Sequence, residues 1–295
     1  MAKRKSPRIE NAELLQAVCD EPDADEPRLV YADWLEEHGD AARAEYIRVQ
    51  IVEARPVPDT ETDAEVEASL KRMDRRDQLE AAHMKTWVKQ LPTLKGILWH
   101  TDFERGFASS ISAANYTAFR AHAATIFRTA PMNQLGFLRL GGTKRLAQMP
   151  ELARIRTLIL EEKRLGPEDA AALADSPYVA GLEHLHLSQN RLGDEGAAAL
   201  ARSPYLKNLV SLNLGYNDIG SAGVKALAQS THLPSLTGLG LAGNEFGDEG
   251  ARALIKTVLF KKDFTGLTLW DIYGLSDQVC KQLKKRFGEY VSFMD

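Results

Sequence analysis

A chain of 295 residues, 44% of them hydrophobic and 26% charged, can bury a sizeable core in more than one structural unit, which excludes wholesale disorder. Its formal net charge of −4 supplies no general pull towards nucleic acid, and its two cysteines, Cys19 and Cys280, lie too far apart in sequence for a disulfide framework or a metal-ligand cluster. No run approaches the roughly 20 apolar residues that span a bilayer, so the expectation is a soluble, cytoplasmic protein in a reducing compartment with no membrane partner.

Residues 1–9 read as a disordered basic arm. They lead into the amphipathic NAELLQAVCDEP rather than an apolar segment with a cleavage site, so a secretory signal is not expected. Residues 10–55 read as three short helices, NAELLQAVCDEP, EPRLVYADWLEEHGD and AARAEYIRVQIVEA, punctuated by Pro22, Pro27 and Gly39-Asp40. Within them Arg28, Tyr31, Asp33 and Trp34 are candidates for a partner surface, Asp33 answering a basic partner. The alternative has the aromatics packed between helices while Asp33 and Arg28 pair locally, and aromatics at helical spacing favour it.

Residues 56–95 read as a linker, most flexible from Arg55 to Thr62, and a long polar helix from Asp63 to Gln90 closed by Leu91-Pro92. Residues 96–140 read as an α/β cap: a strand around Arg105-Gly106-Phe107, a helix from Tyr116 to Arg128, and a first sheet strand at Leu138-Arg139-Leu140. The segments Arg28-Leu29-Val30-Tyr31-Ala32-Asp33-Trp34-Leu35-Glu36-Glu37, Gly39-Asp40 and Glu45-Tyr46-Ile47-Arg48-Val49-Gln50 resemble the bacterial repeat-companion domain, a module that precedes leucine-rich and other repeats. Arg43-Ala44 stands where that family usually carries Arg-Gly. The resemblance implies a helical N-terminal domain and a joining segment that covers the open end of a repeat array; it implies no defined activity.

From residue 141 to 295 the chain repeats. The pattern L-x-x-L-x-L recurs as Ile155/Leu158/Leu160, Leu182/Leu185/Leu187, Leu209/Leu212/Leu214, Leu236/Leu239/Leu241 and Phe264/Leu267/Leu269, at spacings of 27, 27, 27 and 28. Leu165, Leu192, Ile219 and Phe246 follow in register, as do Leu173, Leu200, Leu227 and Leu254. A short strand, a turn and a helix led by Asp194, Ser221 or Asp248 account for each period. Asn190, Asn217 and Asn244 occupy the turn, where a carboxamide can satisfy backbone groups of adjacent repeats; Lys163 and Ile272 replace them in the outer repeats. The stretch LEHLHLSQNRLGDEGAAALA resembles a leucine-rich repeat of the ribonuclease-inhibitor-like subtype. The fold class expected is therefore α/β: a right-handed leucine-rich-repeat solenoid with a parallel sheet on its concave face and a C-terminal cap, preceded by a small, mostly helical domain.

This register also disposes of two phosphate-binding look-alikes. Gly238-x-Gly240-x-x-Gly243 falls on a strand and its turn rather than between a strand and a helix that opens on a pyrophosphate, and Gly141 to Lys144 lacks the spacing of a phosphate loop. The concave face should be lined by Phe137, Arg139, Thr157, Ile159, Glu161, His184, His186, Ser188, Ser211, Asn213, Gly215, Gly238, Gly240, Ala242, Gly266, Thr268 and Trp270, with Tyr216 just beyond its strand. Of these, Arg139, Ile159, Glu161, His184, His186, Asn213, Tyr216 and Trp270 are the candidates for contact with a protein partner. Glu161, His184 and His186 could together hold zinc in a metal-dependent hydrolase, but an open face without a general base makes that the weaker reading. The run Lys281, Lys284, Lys285 and Arg286 could touch nucleic acid, although a solvated face of a capping helix is favoured. No nucleophile motif is present, so neither catalytic residues, nor a bound metal, nor a cofactor is expected. The function expected is a non-enzymatic adaptor, inhibitor or regulated component of a bacterial signalling pathway.

Overall fold

The computed structural model describes residues 11–55, 62–257, 259, 266–272, 274–288 and 291–292; the basic arm, most of the linker, Phe264 and Glu289 lie outside them. The chain forms two compact units, Met1–Ser112 with Thr117–Asn133, and Ala113–Tyr116 with Gln134–Asp295.

The first unit opens with helices α1 (Ala12–Asp20), α2 (Glu26–Glu37), α3 (Ala41–Glu53) and α4 (Asp63–Gln90). Each start is set locally. The Asn11 carboxamide accepts from the Glu13 and Leu14 amides, Asp40 from the Arg43 amide, and Thr62 and Glu65 cap one another's backbone reciprocally at the head of α4. Strands β1 (Ile97–Trp99), β2 (Phe103–Glu104), β3 (Phe107–Ala108) and β4 (Ser110–Ala113) follow, then helix α5 (Tyr116–Thr129). The core gathers Leu15, Val18 and Cys19 of α1, Tyr31, Ala32 and Leu35 of α2, Ala44, Ile47 and Ile51 of α3, and Phe107.

Arg105-Gly106-Phe107 is not the single strand that its composition suggests. Phe103 pairs with Ala108 and Glu104 with Phe107 in an antiparallel hairpin, and Arg105 and Gly106, both at positive φ, form its two-residue turn. Glycine is required there twice over, because a Cβ at Gly106 would stand 2.2 Å from Ile47 Cγ1. The local pairing of Arg28 with Asp33 is also absent: Asp33 binds Arg48 at 2.7 Å, while Arg28 is buried against Phe107 and donates to the Ala24 carbonyl at 3.0 Å.

The second unit alternates strands and helices: β5 (Gln134–Phe137), α6 (Thr143–Leu146), β6 (Thr157–Ile159), α7 (Pro167–Ala174), β7 (His184–His186), α8 (Gly193–Ala201), β8 (Ser211–Asn213), α9 (Ser221–Ala228), β9 (Gly238–Gly240), α10 (Gly247–Ile255), β10 (Gly266–Thr268), α11 (Asp277–Phe287) and β11 (Val291–Ser292). Strands β5 to β11 lie side by side in chain order and pair in parallel. Leu158, Leu185, Leu212, Leu239 and Leu267 are register partners across five strands, each buried on the helix side. The residues on either side of them face the helix-free side.

Two expectations about this register need correction. The entry strand to the repeats is Gln134–Phe137, with Leu135 opposite Leu158, so Gln134 and Gly136 face the open side in place of Phe137 and Arg139. Burying the Phe137 ring decides it: Leu138 is left 64% exposed, and the Leu138 and Arg139 amides bond the Ala113 and Ala114 carbonyls outside the ladder. Asp194 and Asp248, moreover, do not cap the helices that they lead. Asp194 accepts from the Gly220 and Gly223 amides at the start of α9, and Asp248 binds the amide and hydroxyl of Ser276, the N-cap of α11. Each carboxylate thus caps the next helix in the stack, and these bonds hold the Asp248 carboxyl below its ordinary pKa.

The polar groups inside the stack are satisfied by the same translation. Asn244 accepts from the Asn217 and Ile219 amides at 3.0 Å and donates to the Leu214, Leu241 and Ala242 carbonyls. Asn217 and Asn190 make matching bonds one and two repeats earlier. A second ladder on the helix side was not foreseen from the sequence. The buried hydroxyls of Ser176, Ser203, Ser230 and Thr257 donate to the carbonyls of Ala147, Ala174, Ala201 and Ala228, joining each repeat to the one before it.

Candidate functional site

On the helix-free face a groove of about 450 Å³ opens over β7 to β10. Its floor is built from residues with little or no side chain: Gly215, Gly238, Gly240, Ala242 and Gly266. The repeat register places Gly238, Gly240 and Gly266 there, because the position before or after each central leucine projects away from the helices, and Gly215 and Ala242 follow two residues further along the same side. Asn213 explains one of them. A Cβ at Gly240 would lie 2.7 Å from Asn213 Oδ1, which turns back to accept from the Gly215 amide at 3.1 Å.

Tyr216 and Trp270, each 39% exposed, are the two aromatic side chains of the groove. Tyr216 follows β8 at a turn position with φ of 55°, and its hydroxyl donates to Asp271 Oδ2 two repeats on. The ring lies over Gly243, where a Cβ would stand only 2.2 Å from Tyr216 Cδ1, so a larger residue in that turn would displace the ring. Glu162, Gln189, Tyr216 and Gly243 are 27 apart, all left-handed, and Asp271 repeats the conformation 28 residues later. Gln189 reaches the groove from this turn position. It was not among the foreseen lining residues, although the period that places Tyr216 also places Gln189.

His186 stands at the opposite side of the groove, half-buried, with Nδ1 3.7 Å from Glu161 Oε1. Burial lowers its pKa below the ordinary imidazole value, the Glu161 carboxylate opposes that shift, and nearby His184 adds to it. His184 and His186 share one face of β7, with Thr157 and Ile159 as their register partners on β6. Among the described residues no group of three His, Cys, Asp or Glu side chains is placed to hold a metal ion. The arrangement offers hydrogen-bonding groups and aromatic surface.

The other candidates are dispersed. Arg139 lies beyond β5 and outside the groove. In the first unit, Tyr31 is buried against Phe107 and Arg28 is buried beside it, whereas Trp34 is half-buried with its ring stacked 4.3 Å from His38. Asp33 remains largely exposed and bonded to Arg48. Lys281, Lys284 and Lys285 are exposed on α11, whose other face buries Val279, Leu283 and Phe287. Among the described residues no helix is long and apolar enough to cross a membrane.

Comparison with known families locates this architecture. No curated protein matches the chain. A family model described as leucine-rich repeat matches residues 182–201, 205–228 and 232–254, three successive periods that carry β7 to β9 and their helices.

Proposed function

We propose that the helix-free face of the sheet, the concave face of a right-handed solenoid, binds another protein, and that the chain is a non-enzymatic adaptor, inhibitor or regulated component of a bacterial cytoplasmic pathway. Leucine-rich repeats generally mediate protein–protein interaction, and the family is typically non-enzymatic. The observation that carries the reading is the groove itself, with a floor cleared of side chains beside exposed Tyr216 and Trp270. Aromatic anchors on a rigid surface give large contact area for little lost conformational entropy. His186, His184, Asn213 and Glu161 supply the polar rim in this reading, with Ile159 an apolar contact beside them, and the helical N-terminal unit, as a repeat-companion module, contacts a second partner.

Affinity capture from the native host's lysate tests it, comparing the wild-type chain with the double variant His186→Glu, Trp270→Ala. A protein retained by the wild type and lost by the variant is expected. Recovery of the same proteins by both would remove the groove as the contact surface.

A further inference from the structure

Helix α4 is 28 residues long, about 42 Å at 1.5 Å per residue, yet the residues it buries are Leu79, Met84 and Trp87, all in its C-terminal half. Its N-terminal half is tied down by charge instead. Arg75 binds Glu45 at 2.6 Å and Arg76 binds Glu53 at 3.2 Å, so these two arginines turn that half of the helix towards α3. On the other side Val66, Leu70 and Met73 stand 41%, 60% and 44% exposed. Their spacing of i, i+4 and i+7 puts them in one line along the helix, a short apolar stripe in water.

The charges along one flank of this stripe are mostly acidic. At roughly 100° per residue, Asp63, Glu67, Asp74 and Asp77 fall on the stripe or along one of its flanks. Lys71 is the basic neighbour on that side, and it is bound to Glu67 at 2.7 Å. The other flank carries Arg76, which is shared among Glu53, Asp77 and Glu80. The surface is thus apolar in the middle and acidic at the edge.

We infer that the stripe Val66–Leu70–Met73 docks a basic amphipathic helix of a partner protein, its apolar face on the stripe and its lysines or arginines along Asp63, Glu67, Asp74 and Asp77. Charge selects this occupant. A second copy of the chain packed antiparallel, about a two-fold axis perpendicular to α4, would bring the same flank of both helices together and set carboxylates against carboxylates. An anionic lipid surface is repelled for the same reason. The inference does not depend on the sheet face, so the two readings fail separately.

The test uses the full chain and two synthetic helical peptides with an identical leucine stripe, one flanked by lysines and one by glutamates, followed by fluorescence anisotropy. The lysine-flanked peptide is expected to bind and to weaken as salt is raised, and the glutamate-flanked one not to bind. Leu70→Asp is expected to weaken binding at least about tenfold, although it adds a carboxylate that would strengthen a merely electrostatic attraction. Glu67→Lys combined with Asp74→Lys is expected to reverse the preference. All three positions are exposed, and circular dichroism checks that the variants fold. Equal binding of both peptides, binding of neither, or binding indifferent to Leu70→Asp overturns the inference. So does sedimentation showing self-association of the full chain that Leu70→Asp abolishes, since the occupant would then be a second copy.

Discussion

The two units of this chain bury polar groups in opposite ways. In the repeat region the buried carboxamides of Asn190, Asn217 and Asn244 and the buried hydroxyls of Ser176, Ser203, Ser230 and Thr257 recur at one-period spacing, and the bonds that satisfy one repeat are supplied by its neighbour, as Asn244 supplies Asn217 and Ser203 supplies Ala174. In the N-terminal unit arginines pack singly on aromatic rings, Arg28 on Phe107 and Arg43 on Phe103 and Trp87, and among the described residues the buried side-chain atoms Arg28 Nε, Arg72 Nε, Arg105 Nε and Glu53 Oε1, left without a hydrogen bond, belong to this unit. Burial and the neighbouring Arg105 lower the Arg28 pKa to about 10, a sign that its charge is held at a cost. A repeated contact is satisfied by translation, whereas a single contact must be satisfied by its own shape.

Asn244→Ala should sharpen that contrast with the largest effect. The carboxamide is fully buried and makes five bonds to backbone groups of two repeats, and its loss leaves those groups unsatisfied in the interior. A destabilisation of about 3 kcal/mol is expected, because each orphaned buried group costs roughly 1–3 kcal/mol and some recover water. Chemical denaturation followed by circular dichroism reads it. A loss under about 1 kcal/mol would mean that the ladder is redundant.

Arg43 is the corresponding test in the N-terminal unit. Its guanidinium lies 4.9 Å from the Trp87 ring centre and 4.7 Å from that of Phe103, so it is held between two aromatic faces. Arg43→Met keeps most of the volume and removes the charge, and a loss of about 1–2 kcal/mol is expected. Arg43→Lys should recover less than half of it, since an ammonium lacks the flat surface that stacks on both rings. Trp87 fluorescence during denaturation follows this unit. If Arg43→Met is as stable as the wild type, the stacking is only geometric.

How much could be read from the sequence follows the same division. The spacing of 27 residues places Leu158, Leu185 and Leu212 in register, and it puts the glycines of the groove on the open face, because position in a period is enough to decide burial. The period fails where it ends. Leu138-Arg139-Leu140 imitates the strand pattern, but Phe137 is the residue that the core can take, and Arg139 leaves the face with it. The serine ladder was legible as Ser176, Ser203, Ser230 and Thr257 at equal spacing, yet a hydroxyl on a helix side reads as solvated until the carbonyl of the preceding repeat is seen beside it. Asp194 shows the same blindness: it has the composition of a cap for its own helix and the geometry of a cap for the next. In the N-terminal unit nothing recurs, so the burial of Arg28 and the stacking of Arg43 depend on rings from distant segments that no spacing brings together.

His186 gives the smallest effect and tests whether a group on the open face of the repeats behaves as though partly interior. Its pKa is lowered chiefly by burial, so the folded chain accepts the proton less readily than the unfolded chain does. The sign follows: stability is complete above the unfolded imidazole value of about 6.5 and declines as the pH falls from there through the lower folded value. His186→Gln should flatten this part of the stability curve. Glu161→Gln should steepen it, because the carboxylate 3.7 Å away is what partly restores the proton's affinity. Denaturation midpoints on either side of that pH, measured for the wild type and both variants, separate the contributions from those of the other six histidines, which are common to all three proteins. Parallel curves for all three would show that His186 is as well solvated in the fold as in the unfolded chain, and that the open face of the sheet exerts none of the desolvation felt inside the stack.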